Sequence, residues 1–135
     1  MEKKLTEGMI RDKINREDIS SLTELTFFAN GLEDVSILSK LPNINSISFS
    51  HNKIATLAYF KDCTNLKELF LRKNKIESLK EIQHLKNLPC LRVLWLWDNP
   101  LSNHPLYRLY IIKVLPKLKK LDSASVSEEE RMAAK

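Results

Sequence analysis

The chain has 135 residues, with 22 lysines and arginines against 17 aspartates and glutamates, and a formal charge of +5. It is 43% hydrophobic and 29% charged, which predicts a single folded domain over 1–135 and excludes a disordered polymer. Gly8 and Gly31 are the two glycines, so a glycine-rich loop that lets backbone approach a phosphate is excluded. Leucine, at 22 residues, is the unusual feature of the composition.

The sequence has no segment typical of a membrane span or a metal site. Its apolar runs are only a few residues long, and no apolar stretch follows the basic residues near the start, which argues against a secretory signal. Cys63 and Cys90 form no CxxC pair, and the three histidines do not cluster. We therefore expect reduced thiols, a cytoplasmic protein without membrane association, no metal and no other cofactor.

Residues 1–21 predict a helical cap at the N-terminus. Leu5, Met9, Ile10 and Ile14 fall on one face of a short helix, and Thr6 stands where it can cap the first turn. This apolar face needs a core to pack against, and the next segment supplies one.

Residues 22–117 contain four copies of the pattern LxxLxLxxNxL, whose apolar positions also accept isoleucine and phenylalanine. The asparagines are spaced 22, 22 and 25 residues apart. Such a period indicates units that cannot bury their apolar face alone and therefore stack on a shared core. The predicted repeats are 22–43, 44–65, 66–90 and 91–117, and their asparagines are Asn30, Asn52, Asn74 and Asn99.

This pattern predicts an α/β solenoid: a short horseshoe with a concave parallel sheet, a convex face of 3₁₀ or α-helical turns, and helical caps at both ends. Alternate strand residues face opposite sides, so Leu69 and Leu71 point inward while Phe70 points outward. Between 76 and 88 an apolar residue recurs every third position, which suits 3₁₀ turns. The asparagines are expected to form a ladder of stacked carboxamides that pairs buried backbone groups.

Residues 105–115 predict an amphipathic helix that Pro116 ends, and residues 118–135 predict a partial fifth repeat with a C-terminal cap. Ser127 and Glu130 match a capping box, which opens another helix shortly before the last residue. A helix that begins so near the end of the sequence suggests a piece of a longer protein, and this is our expectation.

The outward strand positions form the predicted functional surface. Both tryptophans fall there, because a core role for them would require Leu94 and Leu96 to point outward, against the pattern of the other repeats. Aromatic side chains beside arginine are typical of a protein-binding hot spot. The alternative is that the cap helix or the tail covers this patch. The middle outward row is Thr26, Ser48, Phe70, Trp95 and Asp122. The predicted partner-binding residues are Phe70, Trp95, Trp97, Arg72, Lys73, Asp98, Phe28 and His51.

These units resemble the SDS22-like class of leucine-rich repeats, and the tail resembles the C-terminal cap motif of that class. The segments 66–79 and 88–100, followed by the Tyr107-Arg108 pair, are similar to the N-terminal domain of the cilia- and flagella-associated protein 410 family. The predicted cap residues are Tyr107, Arg108, Leu115, Pro116, Leu118, Leu121 and Asp122.

The resemblance implies a non-enzymatic adaptor of the cytoplasm and cytoskeleton at the base of the cilium or flagellum, the basal body. Its implied partner is a NIMA-related ciliary kinase. Oligomerisation would come from a separate C-terminal helical segment, and this domain would be monomeric. An enzyme has no support from the residues, because no nucleophile stands beside a base.

The alternative function is a component of a ribonucleoprotein complex that contacts RNA or an RNA-binding protein. Its support is the basic balance and a similar layout of repeats and cap in a spliceosomal protein. However, the charge is not diffuse: residues 99–121 contain no acid. This favours a solvated helix face, or else a second contact with an acidic partner, over nucleic acid. The five basic residues of this segment are Arg108, Lys113, Lys117, Lys119 and Lys120.

Overall fold

A computed structural model describes residues 3–16 and 18–135. Its main feature is one six-stranded sheet in which the strands follow each other in chain order. The first five strands are parallel, and the sixth pairs with the fifth in the antiparallel sense. The strands are β1 (Glu24–Thr26), β2 (Ser46–Ser48), β3 (Glu68–Phe70), β4 (Val93–Trp95), β5 (Lys120–Leu121) and β6 (Ala124–Ser125). The α-helices are α1 (Glu7–Ile14), α2 (Tyr107–Val114) and α3 (Glu128–Ala133).

The register of the sheet follows the repeat without slippage. The central residues of β1 to β4, Leu25, Ile47, Leu69 and Leu94, pair in sequence across the sheet, and all four are buried. Because a slip of one residue would turn every one of them to solvent, the leucine pattern fixes the register. The predicted concave parallel sheet is therefore confirmed.

The convex side consists of 3₁₀ helices, one in each repeat, as the three-residue spacing predicts. The longest, Leu79–Leu85, begins after Ser78, whose hydroxyl accepts a hydrogen bond from the backbone N–H of Lys80. Its apolar positions Ile82 and Leu85 are buried against the core. The others are Ser36–Lys40, Ala58–Phe60 and Pro100–Asn103.

Helix α1 closes the N-terminal end of the core. The Thr6 hydroxyl accepts a hydrogen bond from the N–H of Met9 at 3.2 Å, which confirms Thr6 as the N-cap. Leu5 and Ile10 are fully buried, and Ile14 packs against the core from the same face. The apolar edge of β1 is thus covered rather than exposed to water.

The C-terminal end is closed by α2 and α3. Helix α2 is shorter than the predicted 105–115, because it begins at Tyr107 and ends before Leu115, whose backbone is no longer helical (φ −117°, ψ 73°) and leads into Pro116. Helix α3 has the predicted capping box, with reciprocal hydrogen bonds between Ser127 and Glu130. Within 3–16 and 18–135, the helices are too short or too polar to cross a membrane.

Three asparagines form the predicted ladder. They are Asn52, Asn74 and Asn99. Each Nδ2 group donates to a backbone carbonyl of its own repeat and to the equivalent carbonyl of the preceding repeat. Each Oδ1 atom accepts a hydrogen bond from a backbone N–H of that preceding repeat. These are the buried polar side chains of the described part of the chain. Asn30 differs: it is only half-buried and takes part through its backbone N–H, which donates to Asn52 Oδ1 at 3.0 Å. The first repeat has no preceding repeat, so its asparagine has no equivalent carbonyl to bind.

Candidate functional site: the aromatic concave face

Phe70 and Trp95 lie side by side on the outward face of the sheet. They are paired residues of β3 and β4, and the leucine before each is fully buried, so alternation turns both rings outward. Their ring centroids are 6.4 Å apart with an interplanar angle of 47°, within the range of favourable aromatic pairs. Both rings are half-buried, because each covers part of the other.

Trp97 continues this surface beyond the end of β4. Its side chain is 49% exposed although tryptophan is among the largest apolar side chains, while the neighbouring Leu96 is fully buried. The outward orientation of both tryptophans agrees with the prediction from register. We call Phe70, Trp95 and Trp97 the aromatic face.

The charged residues beside the aromatic face hold each other in place. Arg72 Nε donates to Asp98 Oδ2 at 3.2 Å, and both side chains are more than 40% exposed. Lys73 follows Arg72 and is exposed. An exposed ion pair contributes at most about 1 kcal/mol to stability, so its main effect is to orient the guanidinium at the edge of the face.

One turn residue in each repeat has left-handed backbone, which the sequence reasoning missed. Ala29, His51, Lys73 and Asp98 directly precede the repeat asparagines and have φ between 57° and 64°. Such a conformation costs about 1 kcal/mol or more for residues other than glycine, and the buried asparagine that follows stabilises it. All four residues stand directly before a repeat asparagine, and this shared position is the signal in the sequence. Glycine, the residue that usually indicates left-handed backbone, does not occur at this position in any repeat.

Phe28 and His51 form a second, separate ring contact near the other end of the sheet. Their centroids are 4.6 Å apart at 45°, and Phe28 is 61% exposed. The structure thus divides the predicted partner-binding residues into two groups. Phe28 and His51 belong to the first two repeats, and the aromatic face belongs to the third and fourth.

Trp95 and Trp97 of the aromatic face line an open groove of ≈ 520 Å³ together with Arg72. The opposite wall comes from the C-terminal cap, where Tyr107, Arg108 and the 121–124 turn contribute. The tail borders the groove without closing it, because α3 packs against α2 and Trp97 stays half exposed. Within residues 3–16 and 18–135, the cap and the tail leave Trp97 half exposed and Trp95 half-buried.

Asp122 does not belong to the outward row in which register placed it. The chain turns at Asp122 with φ of 57°, and its Oδ1 accepts hydrogen bonds from the N–H groups of Leu96 and Trp97 at 2.9 and 3.0 Å. In the earlier repeats a carbonyl of the next strand accepts the bond from the N–H equivalent to that of Leu96. The carboxylate replaces that carbonyl where the fifth repeat is incomplete.

Tyr107 secures this carboxylate from the cap. Its hydroxyl donates to Asp122 Oδ2 at 2.8 Å, and the ring is buried. Burial, together with the adjacent Asp122 charge, raises the pKa of the Tyr107 phenol far above its ordinary value. The phenol is thus a fixed donor at neutral pH.

Arg108 joins the cap to the tail and is not a free surface charge. Its guanidinium pairs with Glu130 and donates to the carbonyls of Leu121, Ala124 and Ser125. Hydrogen bonds from Arg108 and from the Ser127 backbone lower the pKa of Glu130 to about 2. The predicted basic segment 99–121 is therefore one charge weaker than its composition suggests.

The remaining predicted cap residues Leu115, Leu118 and Leu121 are buried, and Pro116 is exposed.

In the described part of the chain, no three His, Cys, Asp or Glu side chains form a group that could hold a metal ion. Cys63 is buried, and desolvation raises the pKa of its thiol to about 11. A thiol in this state is a poor nucleophile.

Comparisons with known proteins agree with this architecture. The cilia- and flagella-associated protein 410 of Mus musculus is 40% identical over 129 residues, and that of Homo sapiens is 42% identical over 130. These alignments cover 94% of this chain but 52% and 50% of the relatives, so the chain spans about half of their length. The similarity to this ciliary protein expected from the sequence is confirmed.

The fold itself also has solved counterparts. The crystal structure of the Drosophila melanogaster SNF/U2A' complex matches 97% of this chain and 90% of the matched chain with a TM-score of 0.67 and 22% identity, which shows a common fold. A family model described as leucine-rich repeat matches residues 17–135. The chain therefore belongs to the leucine-rich repeat family.

Proposed function

We propose that this domain is a non-enzymatic adaptor that binds a protein partner through the aromatic face, edged by Arg72, Lys73 and Asp98. The observation that carries the proposal is the half-exposed Trp97 just beyond Trp95, the last residue of β4. Large aromatic side chains lose little conformational entropy on binding and are enriched among residues that dominate binding energy.

The shape of the site supports a protein partner. The groove between the two tryptophans and the C-terminal cap is open to solvent and has both apolar and polar walls. Phe28 and His51, on the first two repeats, extend the same side of the sheet. A partner segment that lies across the strands would contact both groups, with the aromatic face as its anchor.

The similarity to cilia- and flagella-associated protein 410 supports a location at the base of the cilium or flagellum, in the basal body and its cytoskeleton. On the same grounds we propose a NIMA-related ciliary kinase as the partner. This domain is proposed to be monomeric, and oligomerisation is assigned to a C-terminal segment outside these 135 residues.

A ribonucleoprotein role has less support from this face. Recognition of single-stranded RNA requires aromatic rings interleaved with free basic groups. Here Arg72 is paired with Asp98 and Arg108 with Glu130. The remaining basic side chain among the predicted partner-binding residues is that of Lys73, which is exposed.

The proposal is tested by co-precipitation of the kinase with the chain from ciliated-cell extract. Trp95→Ala/Trp97→Ala should abolish recovery of the kinase, while circular dichroism and the melting curve stay nearly unchanged. Leu106→Ala is the matched control, because Leu106 is an apolar side chain 56% exposed outside the groove. Unchanged recovery with the double variant would reject the site. Tight, salt-dependent shifts of a single-stranded RNA in a mobility assay would favour the ribonucleoprotein alternative.

A further inference from the structure

The edge of the sheet where the strands begin carries a row of basic residues from three consecutive repeats. Lys67, Arg92 and Lys119 occupy the same position in their repeats, and their backbones are joined directly: Arg92 N–H donates to the Lys67 carbonyl, and Lys119 N–H donates to the Arg92 carbonyl. In sequence these residues are 25 and 27 positions apart. The fold thus brings together charges that look scattered along the chain.

A small cavity of ≈ 230 Å³ opens at the same edge, between the segments that lead into β4 and β5. Its lining is mixed: leucines and prolines, among them Leu88, Pro89, Leu115 and Pro116, form the apolar part, and Lys86, Asn87 and Lys117 form the polar part. Cavities of about 150 Å³ accept a benzene ring, so one leucine or phenylalanine side chain fits here.

Cations surround this cavity. Lys86 and Lys117 line it, and Arg92 lies beside it, since its Nη1 donates to the carbonyls of Pro89 and Leu91 at 3.0 Å. Arg131 reaches the same edge from α3 and donates to the carbonyls of Pro116 and Leu118. Together with Lys67 and Lys119 these are six cations, and in residues 3–16 and 18–135 none of the six forms an ion pair with a carboxylate.

We propose that this edge is a second binding site, for an acidic segment of a partner protein that inserts one apolar side chain into the cavity. Charge complementarity selects the acidic segment, because six unpaired cations repel any basic one. The cavity selects a protein over single-stranded RNA, because the apolar part of its lining is leucine and proline and contains no aromatic ring on which a base could stack. The site is independent of the aromatic face on the concave side.

The probe for this site is a fluorescent nonapeptide of four glutamates, one leucine and four glutamates, measured by fluorescence polarisation. Lys86→Glu/Lys117→Glu should weaken its binding about tenfold or more. Lys53→Glu/Lys75→Glu is the matched control: it makes the same change in net charge with exposed lysines at the opposite edge of the sheet, and it should have a much smaller effect. All four lysines are exposed, so both variants should fold, which circular dichroism verifies.

Two further arms complete the test. A peptide with glycine in place of leucine should bind several-fold more weakly, and Trp97→Ala should bind the leucine peptide as the wild type does, which separates this site from the aromatic face. Equal losses in the two lysine variants, or equal binding of the leucine and glycine peptides, would overturn the proposal. Tighter binding of a nine-nucleotide uridine RNA, or of vesicles with 30% phosphatidylserine, would overturn the choice of an acidic protein segment.

Discussion

The Tyr107 hydroxyl lies 2.8 Å from Asp122 Oδ2, and the other oxygen of that carboxylate accepts hydrogen bonds from the N–H groups of Leu96 and Trp97. The C-terminal cap is thereby tied to the backbone that carries the exposed tryptophan. The rigidity of the proposed binding face depends on this connection, because a hot spot is effective when its side chains are ordered before binding.

Replacing the carboxylate should therefore loosen the end of the sheet. Asp122→Ala leaves the part-buried Leu96 N–H without an acceptor, so we expect a loss of about 2 kcal/mol in the free energy of unfolding. Tyr107→Phe removes one hydrogen bond and should cost about 1 kcal/mol. Urea denaturation followed by tryptophan fluorescence measures both. If Asp122→Ala cost no more than Tyr107→Phe, the carboxylate would not support the sheet.

The asparagine ladder predicts that replacing a buried, fully bonded asparagine lowers the free energy of unfolding more than replacing the asparagine of the first repeat. Asn74→Ala removes two donated bonds to buried carbonyls and one accepted from the Ile54 N–H, and it should cost about 3 kcal/mol. Asn30→Ala serves as the control, because Asn30 is only half-buried and acts through its backbone. It should cost under about 1 kcal/mol. Thermal or urea denaturation of the two variants under identical conditions tests the order, and equal costs would contradict it.

The link between Arg108 and Glu130 predicts acid sensitivity of the tail. The folded-state pKa of Glu130 is about 2, against an ordinary value of 4.5, so its contribution to stability is complete above pH 4.5 and is lost as the pH falls through 2. The pair is partly exposed, so solvent screens it, and the loss should be on the order of 1 kcal/mol. Denaturation between pH 6 and 2 should show a shallower pH dependence in Glu130→Gln than in the wild type. Glu129→Gln is the control, and an identical slope in all three proteins would rule out the link.

The two cysteines should differ in reactivity. Cys63 is buried and its thiol pKa is raised to about 11 by desolvation and by the Asp62 charge, whereas Cys90 is only half-buried. At pH 8 we expect iodoacetamide to modify Cys90 at least about tenfold faster than Cys63, because the thiolate is the reacting form. Peptide mass spectrometry at timed intervals gives both rates, and comparable rates would show that the core around Cys63 opens.

The strands, their register and the outward orientation of the tryptophans could be predicted from the sequence, because each depends on a spacing that the chain repeats. Leu69 and Leu94 are buried for the same reason in two repeats, so one pattern predicts both. The same reasoning located Thr6 and Ser127 as helix caps, since capping depends on residues three positions apart.

It failed where the repeat ends. Asp122 aligns with Phe70 and Trp95, but the fifth repeat stops there and the chain turns. Its carboxylate therefore accepts the hydrogen bond that a backbone carbonyl of the next strand accepts in the earlier repeats. Arg108 and Glu130 are 22 residues apart and outside the periodic segment, and no local pattern predicts their contact. The basic edge depends on which repeats are neighbours and in what register, so it emerges only from the assembled sheet.

The binding affinity of purified NIMA-related kinase for the wild-type chain, Trp97→Ala and Leu106→Ala tests the central claim most directly. Trp97 is half exposed at the centre of the proposed site, so its loss should weaken binding at least about tenfold with a change in unfolding free energy below about 1 kcal/mol. Leu106→Ala should bind as the wild type does. Wild-type affinity in Trp97→Ala would contradict the assignment of the aromatic face as the partner site.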